Sequence, residues 1–109
     1  MESTIEKIND ITVFTVALES LDAKSAKDFR QEFDSAVEDG STVVLDLESV
    51  EFVDSAGLGS IVASLKRLRG TGGDIRICNV HKPVRALFEL VRMHKLVDIF
   101  ADREEAVAG

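Results

Sequence analysis

The sequence predicts an α/β fold: a single domain over residues 1–109, with a mixed β-sheet of about four to five strands packed with about four helices. Three observations lead there. Short runs rich in β-branched residues alternate with longer segments whose apolar residues recur every three or four positions. The run TVVLDL at 42–47 is almost continuously apolar, as a strand covered on both faces must be. Turn signals at Asn9-Asp10, Gly40 and GTGG (70–73) separate the segments. Strands that alternate with helices need crossover connections, and these make the sheet largely parallel or mixed.

The elements follow in order. Ile5 and Ile8 precede the turn-prone pair Asn9-Asp10, and ITVFTVAL (11–18) reads as a strand. Asp22 is placed to cap a helix whose buried face is Ala26, Phe29, Phe33 and Val37, with Gly40 as its stop. After TVVLDL, the short run VEFV (50–53) delivers the chain to Asp54. A second helix starts at Ser55 or Ala56 and aligns Leu58, Ile61, Val62, Leu65 and Leu68 in one stripe. GTGG (70–73) ends it, and DIRIC (74–78) alternates like a strand. Pro83 opens a third helix with Val84, Leu87, Phe88 and Val91 as its buried face. LVDIF (96–100) is a last short strand, and Asp102 caps a terminal helix.

Composition narrows the function classes. The net charge is −7, unevenly spread: residues 1–54 carry 14 acidic and 4 basic side chains (−10), residues 55–109 carry 6 and 9 (+3). An acidic surface without aromatic interleaving disfavours a nucleic-acid partner. The basic half is read first as helix ends, since Lys66, Arg67 and Arg69 fall in the last turn of the second helix, and second as a protein-docking patch. No apolar run approaches the ~20 residues of a membrane span, and the N-terminus has no signal-peptide pattern. The lone Cys78 has no partner for an internal disulfide, which fits a reducing, cytoplasmic setting. His81 and His94 lie apart with no metal-ligand spacing, so neither metal nor cofactor is expected.

The chemistry centres on FVDSAGLGS, residues 52–60. Ser55 has three readings. It can cap the second helix. It can be a nucleophile on a strand-to-helix turn, but that elbow needs glycine where Val53 stands and a histidine that the neighbourhood does not supply. Or it can receive a phosphate, which adds about −1.5 to −2 charge at pH 7. On a helical wheel, Ala56, Gly59, Ser60 and Ala63 lie opposite the apolar stripe. An exposed face of such small residues would let a partner approach closely.

The segment VVLDLESVEFVDSAGLGSIV (43–62) resembles the signature of the STAS domain, and specifically of bacterial anti-sigma factor antagonists. The resemblance extends to LDAKSAKDFR (21–30), GGDIRICNV (72–80), PVRALFELV (83–91) and LVDIF. It implies that Ser55 is phosphorylated by the partner, an anti-sigma factor that is also an ATP-dependent serine/threonine kinase. A serine phosphatase would restore the unmodified form, which alone would bind the kinase and free a sigma factor. The resemblance makes phosphorylation the leading reading of Ser55. Asp22, Asp54, Ala56, Gly57, Gly59, Ser60 and Ala63 are the expected partner-binding residues. The chain departs from the pattern at Ala56, often a hydroxyl residue, and at Glu19, where glycine is common. A constitutive structural subunit of a transporter or signalling assembly is the alternative, and a serine hydrolase the third.

Overall fold

The computed structural model describes residues 3–109. Twelve elements follow one another: β1 (Thr4–Ile8), β2 (Ile11–Thr15), β3 (Ser20–Leu21), α1 (Ala26–Ala36), β4 (Thr42–Asp46), β5 (Phe52–Val53), α2 (Ser55–Gly70), β6 (Asp74–Cys78), α3 (Lys82–Leu90), a 3₁₀ turn (Met93–Lys95), β7 (Asp98–Phe100) and α4 (Arg103–Ala108). The main sheet has five strands in the order β1-β2-β4-β6-β7, and β3 pairs with β5 in a separate two-stranded ribbon. Only the β1–β2 pair is antiparallel; the other pairs in both sheets are parallel. The mixed α/β fold expected from the sequence is the fold observed.

The order of the strands fixes where the helices go. The sheet grows in one direction from β2 through β4 and β6 to β7, so three crossovers of one hand put α1, α2 and α3 on one face. Phe14, Leu45 and Ile77 from the strands meet Phe29, Phe33, Leu65 and Phe88 from the helices there, all buried. The rings of Phe14 and Phe33 stand 5.2 Å apart, and Phe14 meets Phe29 edge-on at 6.1 Å. The opposite face carries a smaller cluster of Val13, Val44 and Cys78 under Ala106 of α4.

Local chemistry explains most of the boundaries. Asn9 and Asp10 both take positive φ (50° and 69°), the conformation a two-residue hairpin needs between β1 and β2. Pro83 sits in the first turn of α3, and Asp102 accepts from the Glu105 amide at 2.9 Å to start α4.

Four expectations are corrected. The β2 strand stops at Thr15, short of Leu18, and the chain turns away to form β3. Asp22 is not the cap of α1; the helix starts at Ala26 behind Ser25 and ends at Ala36, before Gly40. Asp22 instead closes the preceding turn, its carboxylate accepting from the Lys24 amide at 3.0 Å and its carbonyl from the Ala26 amide at 2.8 Å. Val91 is exposed because α3 ends at Leu90 and Arg92 turns the chain with φ 60°, leaving Met93 and Val97 to fill the core. Ser60 is buried rather than exposed, for reasons that belong to the site.

Candidate functional site

Two loops meet at one end of the helical layer, where β2 hands over to α1 and β4 to α2. The β3–β5 ribbon joins them, pairing Ser20 with Phe52 and Leu21 with Val53. Glu19 accepts backbone bonds from the amides of Glu51 (2.7 Å) and Phe52 (3.3 Å), and Leu21 accepts from Asp54 (3.2 Å). The loop carrying Glu19 and Asp22 is therefore bound to the loop that presents Ser55.

Asp54, not Ser55, is the N-cap of α2. One carboxylate oxygen accepts from the Gly57 amide at 2.9 Å, and the other reaches across to the Ala23 amide at 3.2 Å. One side chain thus caps its own helix and ties down the start of the α1 segment. Ser55 occupies the first helical position, exposed, with no side-chain hydrogen bond among the described residues. The expectation that Ser55 caps the helix is overturned: the helix begins at Ser55 itself, so the capping position falls to Asp54. Neither histidine serves Ser55. The ring of His81 meets the Glu48 carbonyl, and His94 lies in the 3₁₀ turn.

Gly57 shows how close the two loops come. A Cβ at this position would stand 1.9 Å from the carbonyl oxygen of Leu21, so no other residue fits without moving the ribbon. The helical wheel missed this second contact. With one flank of α2 pressed on β3 and another beside α1, the buried line runs through Gly57, Ser60, Ile61, Ser64 and Leu65. Ser60 is 5% exposed and donates to the Gly57 carbonyl at 2.6 Å. Leu58 and Val62 are only partly buried. Of the small residues expected to form an open face, Ala56 and Gly59 are exposed and Ala63 is half-buried.

Between α1 and α2 runs an open groove of about 540 Å³, lined by Lys27, Arg30 and Asp34 on one side and Ala56, Gly59 and Ser60 on the other. The sequence reading did not single out Lys27 or Arg30, although two basic residues three apart in an acidic stretch were a signal for them. A larger hollow of about 760 Å³ lies among α3, the 3₁₀ turn and β7, and none of the residues around Ser55 lines it.

The other polar centre is structural. Asp46, 1% exposed at the end of β4, accepts from Asn79 Nδ2 (3.0 Å), the Glu48 amide (3.0 Å) and Arg103 Nη2 (3.2 Å). Burial, and next the Asp46 charge, push the nearby Cys78 thiol up to about 12. It stays protonated and unreactive at neutral pH. Among the described residues, no group of three or more His, Cys, Asp or Glu side chains is placed to hold a metal ion. No helix is long and apolar enough to cross a membrane.

Comparison with known proteins matches these features to a family. The STAS domain family model matches residues 2–106. The anti-sigma-B factor antagonist of Bacillus subtilis is 31% identical over 99 residues, which span 91% of this chain and 89% of that protein. A crystal structure of an anti-sigma factor antagonist from Mycobacterium paratuberculosis superposes with a TM-score of 0.85 at 22% identity, covering 98% of this chain and 91% of that one. The anti-sigma factor antagonist SpoIIAA is similar in fold both unphosphorylated (TM-score 0.74, 21% identity, 97% and 93% covered) and phosphorylated (0.70, 21%, 98% and 97%).

Proposed function

We propose that this chain, which belongs to the STAS domain family and within it to the anti-sigma factor antagonists, is a binding module switched by phosphorylation of Ser55. Anti-sigma factor antagonists are non-enzymatic binding proteins. In this reading residues 1–109 act as one domain in the cytoplasm. Unmodified, the domain binds an anti-sigma factor that is also a serine kinase, and the sigma factor is freed. The kinase then transfers the γ-phosphoryl group of ATP to Ser55. A P–O bond to the serine oxygen forms as the bond to ADP breaks, and the hydroxyl proton leaves. A serine phosphatase hydrolyses the ester and resets the module.

One observation carries the reading. The Ser55 hydroxyl is exposed and unengaged at the start of a helix whose capping carboxylate is committed to the Gly57 and Ala23 amides. That a relative in fold has been solved with and without phosphate supports it. Asp54, Ala56 and Gly59 surround the hydroxyl as contact surface, with Asp22 in the adjoining loop and Ala63 one turn further along. Gly57 and Ser60 support that surface from beneath. A dianion beside Asp54 makes any acidic or apolar partner surface costly to bury there, and ~1.4 kcal/mol of that cost is a tenfold loss of affinity.

The test is phosphopeptide mapping after incubation with the cognate kinase and Mg-ATP. Phosphate should appear on Ser55, and Ser55→Ala should remain unlabelled. Equal labelling of the variant overturns the assignment. Partner affinity that is the same with and without phosphate would identify a constitutive structural subunit instead.

A further inference from the structure

We propose that the groove between α1 and α2 is an internal receptor for the phosphate on Ser55, with Lys27 and Arg30 as its two cationic arms. This rests on the reading of Ser55 as a phosphoacceptor and concerns what the phosphate then touches. The 54 residues before Ser55 hold only 4 basic side chains. Two of these, Lys27 and Arg30, stand one turn apart on α1 and line the groove opposite Ala56 and Gly59. Ser55 does not itself line the groove, but it lies one turn before Gly59 on the same face of α2 and next to Ala56, so a phosphate on it stands at the groove's edge.

Both cations have capacity to spare. Lys27 is exposed and forms no ion pair among the described residues. Arg30 reaches Asp34 only at 3.6 Å, because the other oxygen of that carboxylate is held by Arg67 at 3.0 Å. The Nε of Arg30 is buried and has no hydrogen-bond partner among the described residues. A guanidinium suits a phosphate well, because it offers two parallel N–H bonds. The end of its own helix offers the phosphate the Ser55 and Ala56 amides, but it also holds the Asp54 carboxylate, which repels a dianion. Asp54 already occupies the Gly57 amide and places a carboxylate beside it. Repelled there and attracted by α1, the phosphate lies across the groove and closes it to a partner's side chain.

The experiment places phosphoserine at position 55 by codon suppression, so that no kinase is needed. The second ionisation of the phosphate is followed by ³¹P NMR in the otherwise natural chain, in Lys27→Gln and in Lys27→Gln/Arg30→Gln. The charged groups near the phosphate are Lys27, Arg30 and Asp34 in the groove, Asp54 beside it, and Asp22 and Lys24 in the adjoining loop; Lys24 and the three acids are common to every protein compared. Opposite charge favours the dianion, so the phosphate pKa should be lower with both cations than in the double variant by about 0.5–1 unit, with Lys27→Gln between. The Arg30 Nε–H resonance should also move between the Ser55 and phosphoserine forms. Equal pKa values in all three proteins, or an unmoved Arg30 resonance, overturn the proposal. Such a result would leave phosphorylation of Ser55 by a kinase untouched, and failure of a kinase to modify Ser55 would leave these titrations unchanged.

Discussion

The two faces of the main sheet are built on different terms. On one, three helices of 9 to 16 residues bury a continuous core with three phenylalanines in mutual contact. On the other, a helix of 6 residues lays Ala106 over three buried sheet residues and depends on polar bonds to stay in place. Arg103 reaches Glu6, Thr15 and Asp46 at 3.0, 2.9 and 3.2 Å, and Arg76 donates to the Ala106 carbonyl at 2.9 Å. Ser55 and its groove stand on the thick side. Under the proposed phosphorylation, that surface gains and loses a dianion on a frame held by apolar packing, which is indifferent to added charge.

That contrast can be broken. The largest effect is expected from Phe33→Ala, which removes a ring packed on two others and should cost about 3–5 kcal/mol in urea unfolding. Val44→Ala, a smaller truncation under α4, should cost less. If it costs as much, the thin face contributes as heavily as the thick one and the contrast fails.

Arg103→Met tests the polar side. It leaves buried Asp46 with Asn79 and the Glu48 amide, and about 1–3 kcal/mol should be lost. Amide exchange should quicken in α4 and the end of β4 while α2 keeps its protection. Loss of protection in α2 would show that the two faces are one cooperative unit at this site.

The smallest effect sharpens the picture at the site itself. Because Asp54 caps α2, Ser55→Ala should change stability by less than about 0.5 kcal/mol, as exposed changes do. Asp54→Ala should lose about 1 kcal/mol or somewhat more, since the bond to Ala23 goes with the cap. Thermal unfolding of the two variants decides it, and a larger loss from Ser55→Ala would return the capping role to the serine.

What could be read in the sequence was what local chemistry decides. DIRIC is β6 to the residue, Pro83 sits in the first turn of α3, and Asp102 caps α4, because each rests on its own backbone or side chain. The largest failures involve a distant partner. Nothing near Ser20 or Phe52 announces that two dipeptides 32 residues apart will pair, and without that pairing Gly57 looks like one more small residue on an open face. The wheel placed a single apolar stripe on α2, yet a helix with a sheet beneath it and a ribbon at its side buries two flanks. Val91 continued the periodicity of α3 faithfully; the left-handed turn at Arg92 ended it. The sequence reading of Ser55 as a possible cap fails for a local reason: either side chain could supply the acceptor, and the residue before it does.

The ribbon of β3 and β5, with Gly57 wedged under Leu21 and Asp54 bridging to Ala23, has a thermodynamic consequence for association. A loop that must be ordered when a partner arrives subtracts its lost freedom from the affinity and slows productive encounter. Here both loops are already set in the free domain. Complex formation should therefore proceed without a slow rearrangement step, with a heat-capacity change no larger than the buried apolar area accounts for. If Ser55 is phosphorylated as proposed, discrimination between the two forms then falls on how long the complex lasts rather than on how readily it forms.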